Sequence, residues 1–136
     1  MDDRQRGDRA ARARLTHLSC HPWQVSVVRI ESLPDSGNSY RFDGAAHDAP
    51  VSFFLLHTKP GEGPGLHRHP YAETFIVQAG AAAFTVDGEL VEVGAGNVVV
   101  VPAGAVHSFK GAGSETLGMV SIHEAPEMVT EWLEEG

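Results

Sequence analysis

The residues best equipped for chemistry are His67, His69, Glu73 and His107, which lie in GEGPGLHRHPYAETFIVQAG (61–80) and GNVVVVPAGAVHSFKG (96–111). Three imidazoles and a carboxylate make a donor set suited to a first-row transition metal. His67 and His69 are two positions apart, so on an extended strand both side chains leave from one face. Pro70 favours an extended or turning path for His69 before it, which lets a following strand begin with the Glu73 carboxylate beside the two rings. His107 comes after Pro-Ala-Gly-Ala-Val and must arrive from a separate strand. Neutral imidazoles with one carboxylate leave a divalent ion one net positive charge and, in an octahedral arrangement, two open positions, the mark of a catalytic rather than a structural site. Fe, Mn, Ni, Cu and Zn all suit these donors, and affinity order does not choose between them.

The elements that must position these residues read as strands. VSVVRI (25–30) alternates weakly and is expected as a first strand; 32–50 is dense in Gly, Pro, Asp, Asn and Ser and reads as loop or short hairpin. VSFFLLHT (51–58) is a continuous β-prone run of the kind buried on both sides. After the KPGEGPG turn come the ligand strand 66–69, then ETFIVQ (73–78). AAAFTVDGELVEV (81–93) is the clearest hairpin, with Asp87-Gly88 between two alternating runs. NVVVVP (97–102), VHSFK (106–110) and TLGMVSIHE (116–124) complete the set. Many short strands joined by Gly/Pro turns, with no strand–helix alternation, predict an all-β sandwich or barrel. In 73–78 the parity of Glu73 selects Phe75 and Val77 as cavity neighbours, making the site polar at the metal and apolar beyond.

Both segments resemble the paired signatures of the cupin superfamily. Gly61, His67, His69, Glu73 and Gly80 fit the first signature at every fixed position; Gly96, Pro102, Gly104 and His107 fit the second, whose closing Asn is Gly111 here. The resemblance spans about 51–123 and implies a small single-domain cupin: a double-stranded β-helix, or jelly-roll barrel. It also implies one mononuclear metal centre on His67, His69, Glu73 and His107, a small-molecule substrate or ligand and a homodimer. The activity it implies is metal-dependent transformation of a small oxygenated molecule, with dioxygenase or oxidase chemistry foremost. Metal-assisted isomerisation, cyclisation or decarboxylation, and a non-catalytic metal-dependent binding module, stand as alternatives, since fold alone does not fix function.

A chain of 136 residues is one domain. We expect a flexible N-terminal tail over 1–20, the barrel over 21–123 and a short C-terminal helix over 124–136, with Pro126 in its first turn and Met128, Trp132 and Leu133 on one face. Residues 1–14 hold five Arg against three Asp, whereas the whole chain carries 10 Lys and Arg against 18 Asp and Glu. So acidic a body repels phosphate backbones, which argues against nucleic-acid binding. No apolar run is long enough to span a bilayer, no secretory signal is visible, and the single Cys20 fits a reducing, cytoplasmic interior. Beyond the ligands, His123 (sharing parity with Ser121 and Met119) and Tyr40, in an early loop able to cover the mouth, are the candidate catalytic residues, as proton donors or substrate partners. Arg68, between two ligand histidines, must face away from the metal; His17, His21 and His47 read as structural.

Overall fold

In a computed structural model that describes residues 25–133, the chain forms ten strands in two antiparallel five-stranded sheets. Chain order is β1 (Ser39–Phe42), β2 (Ser52–Thr58), β3 (His67–Arg68), β4 (Glu73–Ala79), β5 (Ala81–Val86), β6 (Glu89–Gly94), β7 (Val98–Val101), β8 (His107–Ala112), β9 (Leu117–His123) and β10 (Glu131–Trp132). The sheets run β1-β2-β9-β4-β7 and β10-β3-β8-β5-β6. This is the all-β jelly-roll expected from the sequence. Short 3-10 turns at Ile30–Ser32 and Gly44–His47 are the only helical elements among the described residues, so none is long and apolar enough to cross a membrane. The tail expected over 1–20, with Cys20 and His17, and His21 beyond it, lie outside the described residues.

Period-two patterning drives the packing. In β4, Glu73, Phe75 and Val77 are buried while Thr74 and Ile76 are only half-buried; β9 alternates in the same way from Leu117 to His123. Phe75, Phe84 and Phe109 meet at centroid separations of 4.9, 5.8 and 5.5 Å, and Val77, Ala82, Val101, Leu117 and Met119 close the core around them. The β5–β6 hairpin turns at Asp87 (φ 48°) and Gly88 (φ 86°), the two positive φ angles that a type I′ turn requires.

Two expectations need correction. Residues 25–29 form no strand: Val25 and Val27 are exposed, and no neighbouring strand takes up their backbone groups. The segment 32–50 does hold a short hairpin, in which Asp35 bridges Tyr40, and its β1 pairs with β2 as the edge of the first sheet. No helix forms within 124–133. There the chain bends through 124–127 and ends in β10, whose Trp132 lies opposite His67 and whose Glu131 lies opposite Arg68. The cause is β3: paired with β8 on one side only, its other edge would leave open backbone groups, and β10 satisfies them.

Candidate metal centre

Strand pairing delivers the cluster. His67 of β3 and His107 of β8 are direct cross-strand partners, so the two signatures meet in one sheet. Glu73 opens β4 in the other sheet and lies opposite His123 of β9. His69, just past β3, is fixed by a Gly104 N–H to His69 carbonyl bond of 2.8 Å. The site therefore straddles both sheets at one end of the barrel. His67, His69, Glu73 and His107 are all buried, and one donor atom from each lies within 4.8 Å of the others, a group able to hold a metal ion.

Hydrogen bonding fixes how the rings present themselves. Nδ1 of His67 lies 2.8 Å from the Gly65 carbonyl, Nδ1 of His69 2.8 Å from the Val129 carbonyl and Nδ1 of His107 2.9 Å from the Ala105 carbonyl. A carbonyl only accepts, so each Nδ1 carries the proton and donates it, and in the neutral ring Nε2 is left with its lone pair. These Nε2 atoms turn inward: His69 Nε2 is 3.1 Å and His107 Nε2 3.0 Å from Glu73 Oε1. Lone pairs facing a carboxylate at this range repel unless a cation lies between them. Nε2 of His69 and Nε2 of His123 are both buried without an aligned hydrogen-bond partner, as a metal-ligating atom would be. The donors present thus fit a divalent transition ion.

The ionisation shifts reflect the same crowding. Burial opposes the charged form of Glu73, but bonds from His107, His123 and His69 outweigh it and hold the carboxyl far below the usual range. Burial likewise disfavours protonated His69, yet its bonds to Glu73 and the Val129 carbonyl raise its pKa. At His67 burial prevails and lowers the pKa.

The second Glu73 oxygen has its own partners: Ser121 Oγ donates to Oε2 at 2.6 Å, and His123 Nε2 is 3.2 Å away. His123 is oriented differently from the other three rings. Its Nδ1 meets the Tyr71 hydroxyl at 2.7 Å, and that hydroxyl oxygen accepts the Val129 N–H at 3.1 Å. The phenol proton is thereby free for His123 Nδ1, which places the imidazole proton on Nε2, toward the carboxylate. His123 is buried within the cluster; Tyr40 is not brought there. Tyr40 lies on the outer face of β1 against His57, with ring centroids 5.6 Å apart, while its neighbours Ser39 and Arg41 line the cavity. Arg68 points away from the site and pairs with Glu131 through two contacts of 2.8 and 3.2 Å; His47 stacks on Phe42.

Above the cluster opens a cavity of about 540 Å³. Its apolar wall is Phe54, Leu56, Phe109, Met128 and Trp132, not Phe75 and Val77, which keep the expected parity but pack into the core beneath. Sequence reasoning missed Tyr71, which carries no motif signal, and the strap 128–130, whose alternation of Met128 and Thr130 toward the cavity is a period-two pattern continued by Trp132. Gly111, standing where the second signature has Asn, has a steric reason: a Cβ there would lie 2.6 Å from the Lys59 carbonyl oxygen, and its N–H and C=O bond Glu62 and Gly61.

Comparison with known proteins agrees with this geometry. Residues 54–123 match the family model described as Cupin domain. Mannose-1-phosphate guanylyltransferase of Escherichia coli K12 is 34% identical over 65 residues, 47% of this chain and 14% of that protein. An uncharacterized protein of Streptomyces coelicolor is 41% identical over 59 residues, 43% of this chain and 55% of its own length. Among solved structures, Bacillus subtilis oxalate decarboxylase at pH 4.6 superposes with a TM-score of 0.67 at 25% identity, covering 77% of this chain and 31% of that one. Another structure of that enzyme, from work on its Mn(II) centres, gives a TM-score of 0.65 at 26% identity, covering 76% and 30%. The chain thus spans a small part of these enzymes.

Proposed function

The chain belongs to the cupin family, and from that membership and the site geometry we propose that it is a metal-dependent enzyme acting on a small oxygenated molecule. His67, His69, His107 and Glu73 would hold one divalent ion. The observation that carries this reading is the three Nδ1–carbonyl bonds, which leave Nε2 of each ring for the cluster, where those of His69 and His107 lie 3.1 and 3.0 Å from one buried carboxylate oxygen. When bound, the ion supplies Lewis acidity and, if redox-active, a site for dioxygen chemistry.

The chain's own residues do the rest. Phe54, Leu56, Phe109 and Met128 exclude water from the floor of the cavity and strengthen every polar contact there. Ser121 and His123 hold the Glu73 carboxylate from the side away from His69 and His107. Tyr71 and His123 form a two-residue path along which a proton is stored at His123 Nε2 and replenished from the phenol. Oxidation by dioxygen is the first reading of the reaction. Metal-assisted decarboxylation or isomerisation is the second, and the buried His123, backed by the half-buried Tyr71, favours it, because a carbanion left by such chemistry needs a proton inside the site. A homodimer belongs to the same proposal: Val98 and Val100, exposed on the edge strand β7, offer it an apolar face, which size-exclusion chromatography of a Val98→Lys, Val100→Lys variant checks.

Metal analysis of protein purified without added metal, with an oxygen-electrode screen of catechols, thiols and β-diketones, tests the reading. A stoichiometric ion with dioxygen uptake supports the oxygenase form. A stoichiometric ion without uptake moves the assignment to decarboxylase, isomerase or binding module. Absence of any bound transition ion after metal supplementation refutes the proposal.

A further inference from the structure

Among the described residues, Arg41 is the one Arg or Lys side chain that lines the cavity, in a chain with a net charge of −8. Its inward direction follows from register. Arg41 of β1 lies opposite Phe54 of β2, and Phe54 lies opposite Ser121 of β9, which donates to Glu73. Neighbouring strands are about 4.8 Å apart, so two strand spacings separate the Arg41 backbone from the residue holding the metal-facing carboxylate. The side chain covers much of that gap: its guanidinium carbon is 5.7 Å from the Phe54 ring, and the Phe54 ring is 5.7 Å from the His123 ring.

The guanidinium is only partly occupied. Both Asp43 carboxylate oxygens contact its Nε, each at 3.1 Å. Among the described residues, neither terminal nitrogen has an acceptor. Asn38, also in the cavity wall, takes the Ser36 hydroxyl proton on Oδ1 at 2.9 Å, which leaves its amide N–H groups as donors. The mouth of the cavity therefore presents a donor fork with a neighbouring amide, the floor presents the metal-ligand set, and Phe54, Leu56 and Met128 lie between. A planar guanidinium with two free N–H edges matches a carboxylate better than any neutral group.

We infer that the cavity selects an amphiphilic carboxylate, bound head-out with its carboxylate on Arg41 and Asn38, its apolar body against Phe54 and Leu56, and its oxygen donor at the metal ligands. This rests on the metal-centre reading and adds to it the class of substrate. A surface ion pair with Asp43 is the rival account of Arg41, and it makes no demand on ligand charge.

The test uses dihydrocaffeate, which has a catechol at one end and a carboxylate at the other, and its primary amide, titrated calorimetrically into the zinc-loaded full chain. The acid should bind roughly two- to fivefold tighter than the amide, the range for an ion pair on an arginine side chain that is 45% exposed. Arg41→Gln should bring the acid down to the affinity of the amide while leaving the amide and the zinc content unchanged. Arg41→Lys, which keeps the charge and the fold but loses the fork, should retain part of the preference. Equal binding of acid and amide, equal weakening of both by Arg41→Gln, or binding of neither overturns the inference; in those cases an intact zinc content leaves the metal centre standing. A preference for the acid that persists in zinc-free protein and vanishes in Arg41→Gln upholds the Arg41 anchor and refutes the metal-centred pose.

Discussion

Ser121→Ala isolates one bond at the centre of the site. The Ser121 hydroxyl donates to Glu73 Oε2 at 2.6 Å, and both residues are buried, so no water replaces the lost donor. The substitution removes one oxygen and leaves a methyl-sized side chain, so packing changes little. A hydrogen bond to a charged acceptor contributes about 1.5–3 kcal/mol, and the metal-free protein should lose roughly that amount in urea unfolding near neutral pH. For a chain of this length the loss corresponds to a fall in melting temperature of about 6–12 °C. The sign with pH is fixed by Glu73. Its carboxyl is held below its ordinary value in the folded chain, so the stability it contributes is present above the unfolded carboxyl value and is lost as pH falls through the folded one. Ser121→Ala weakens that depression; proton uptake by the unfolded chain is common to both proteins, so the gap should stay constant as pH falls past about 4.5 and narrow only as pH falls through the variant's own folded value, well below the ordinary carboxyl range. Urea midpoints for both proteins across an acid-to-neutral series measure it. A gap below about 0.5 kcal/mol at neutral pH, or one that already closes between neutral pH and about 4.5, refutes the reasoning, because it would mean the hydroxyl does not support the charged carboxylate.

Other outcomes follow from the same geometry. His67→Ala and Glu73→Gln should both lose the ion, whereas His123→Ala should keep it, since the His123 proton faces the carboxylate; metal-to-protein ratios decide. Chelation should lower the melting temperature and readdition of Mn(II), Fe(II) or Zn(II) restore it, because an ion bound only by the folded chain stabilises it by mass action; differential scanning fluorimetry reads the shift. Metal uptake should release protons, since the ligand imidazoles bind only when neutral; His69, its pKa raised through Glu73, is protonated more readily than a free ring, and lowering the pH should therefore reduce occupancy. Calorimetry in buffers of different ionisation enthalpy counts the protons.

Much of the site was legible because its geometry is local. The two-residue spacing of His67 and His69 and the parity of β4 follow from strand alternation alone, and both hold. The pairing of His67 with His107 is not local; only the resemblance placed it, and β3–β8 register realises it. Parity told which side Phe75 faces but not at what depth, because depth depends on Phe84 and Phe109 arriving from the other sheet to fill that level. Arg41 escaped notice for a similar reason: its direction is set by β1 pairing with β2, inside a segment whose Gly, Pro and Asn content reads as loop. The C-terminal misreading is more instructive. Met128, Trp132 and Leu133 fit a helical face, yet Met128, Thr130 and Trp132 fit a strand equally well, and Val129 and Thr130 are β-branched. The unpaired edge of β3 decided between the two patterns.

That strap does more than cover an edge. Val129 uses both its backbone groups on the site: its carbonyl takes the proton of His69 Nδ1, and its N–H donates to the Tyr71 hydroxyl that orients His123. One extended residue therefore sets the tautomer of a metal-ligand ring and the direction of the neighbouring proton path. A helix would commit the Val129 carbonyl to a bond along its own axis and leave His69 Nδ1 without its acceptor. Its extended form is required by the imidazole chemistry as much as by the sheet. The segment where the periodicity was most ambiguous is thus the one whose backbone, rather than whose side chains, completes the metal centre.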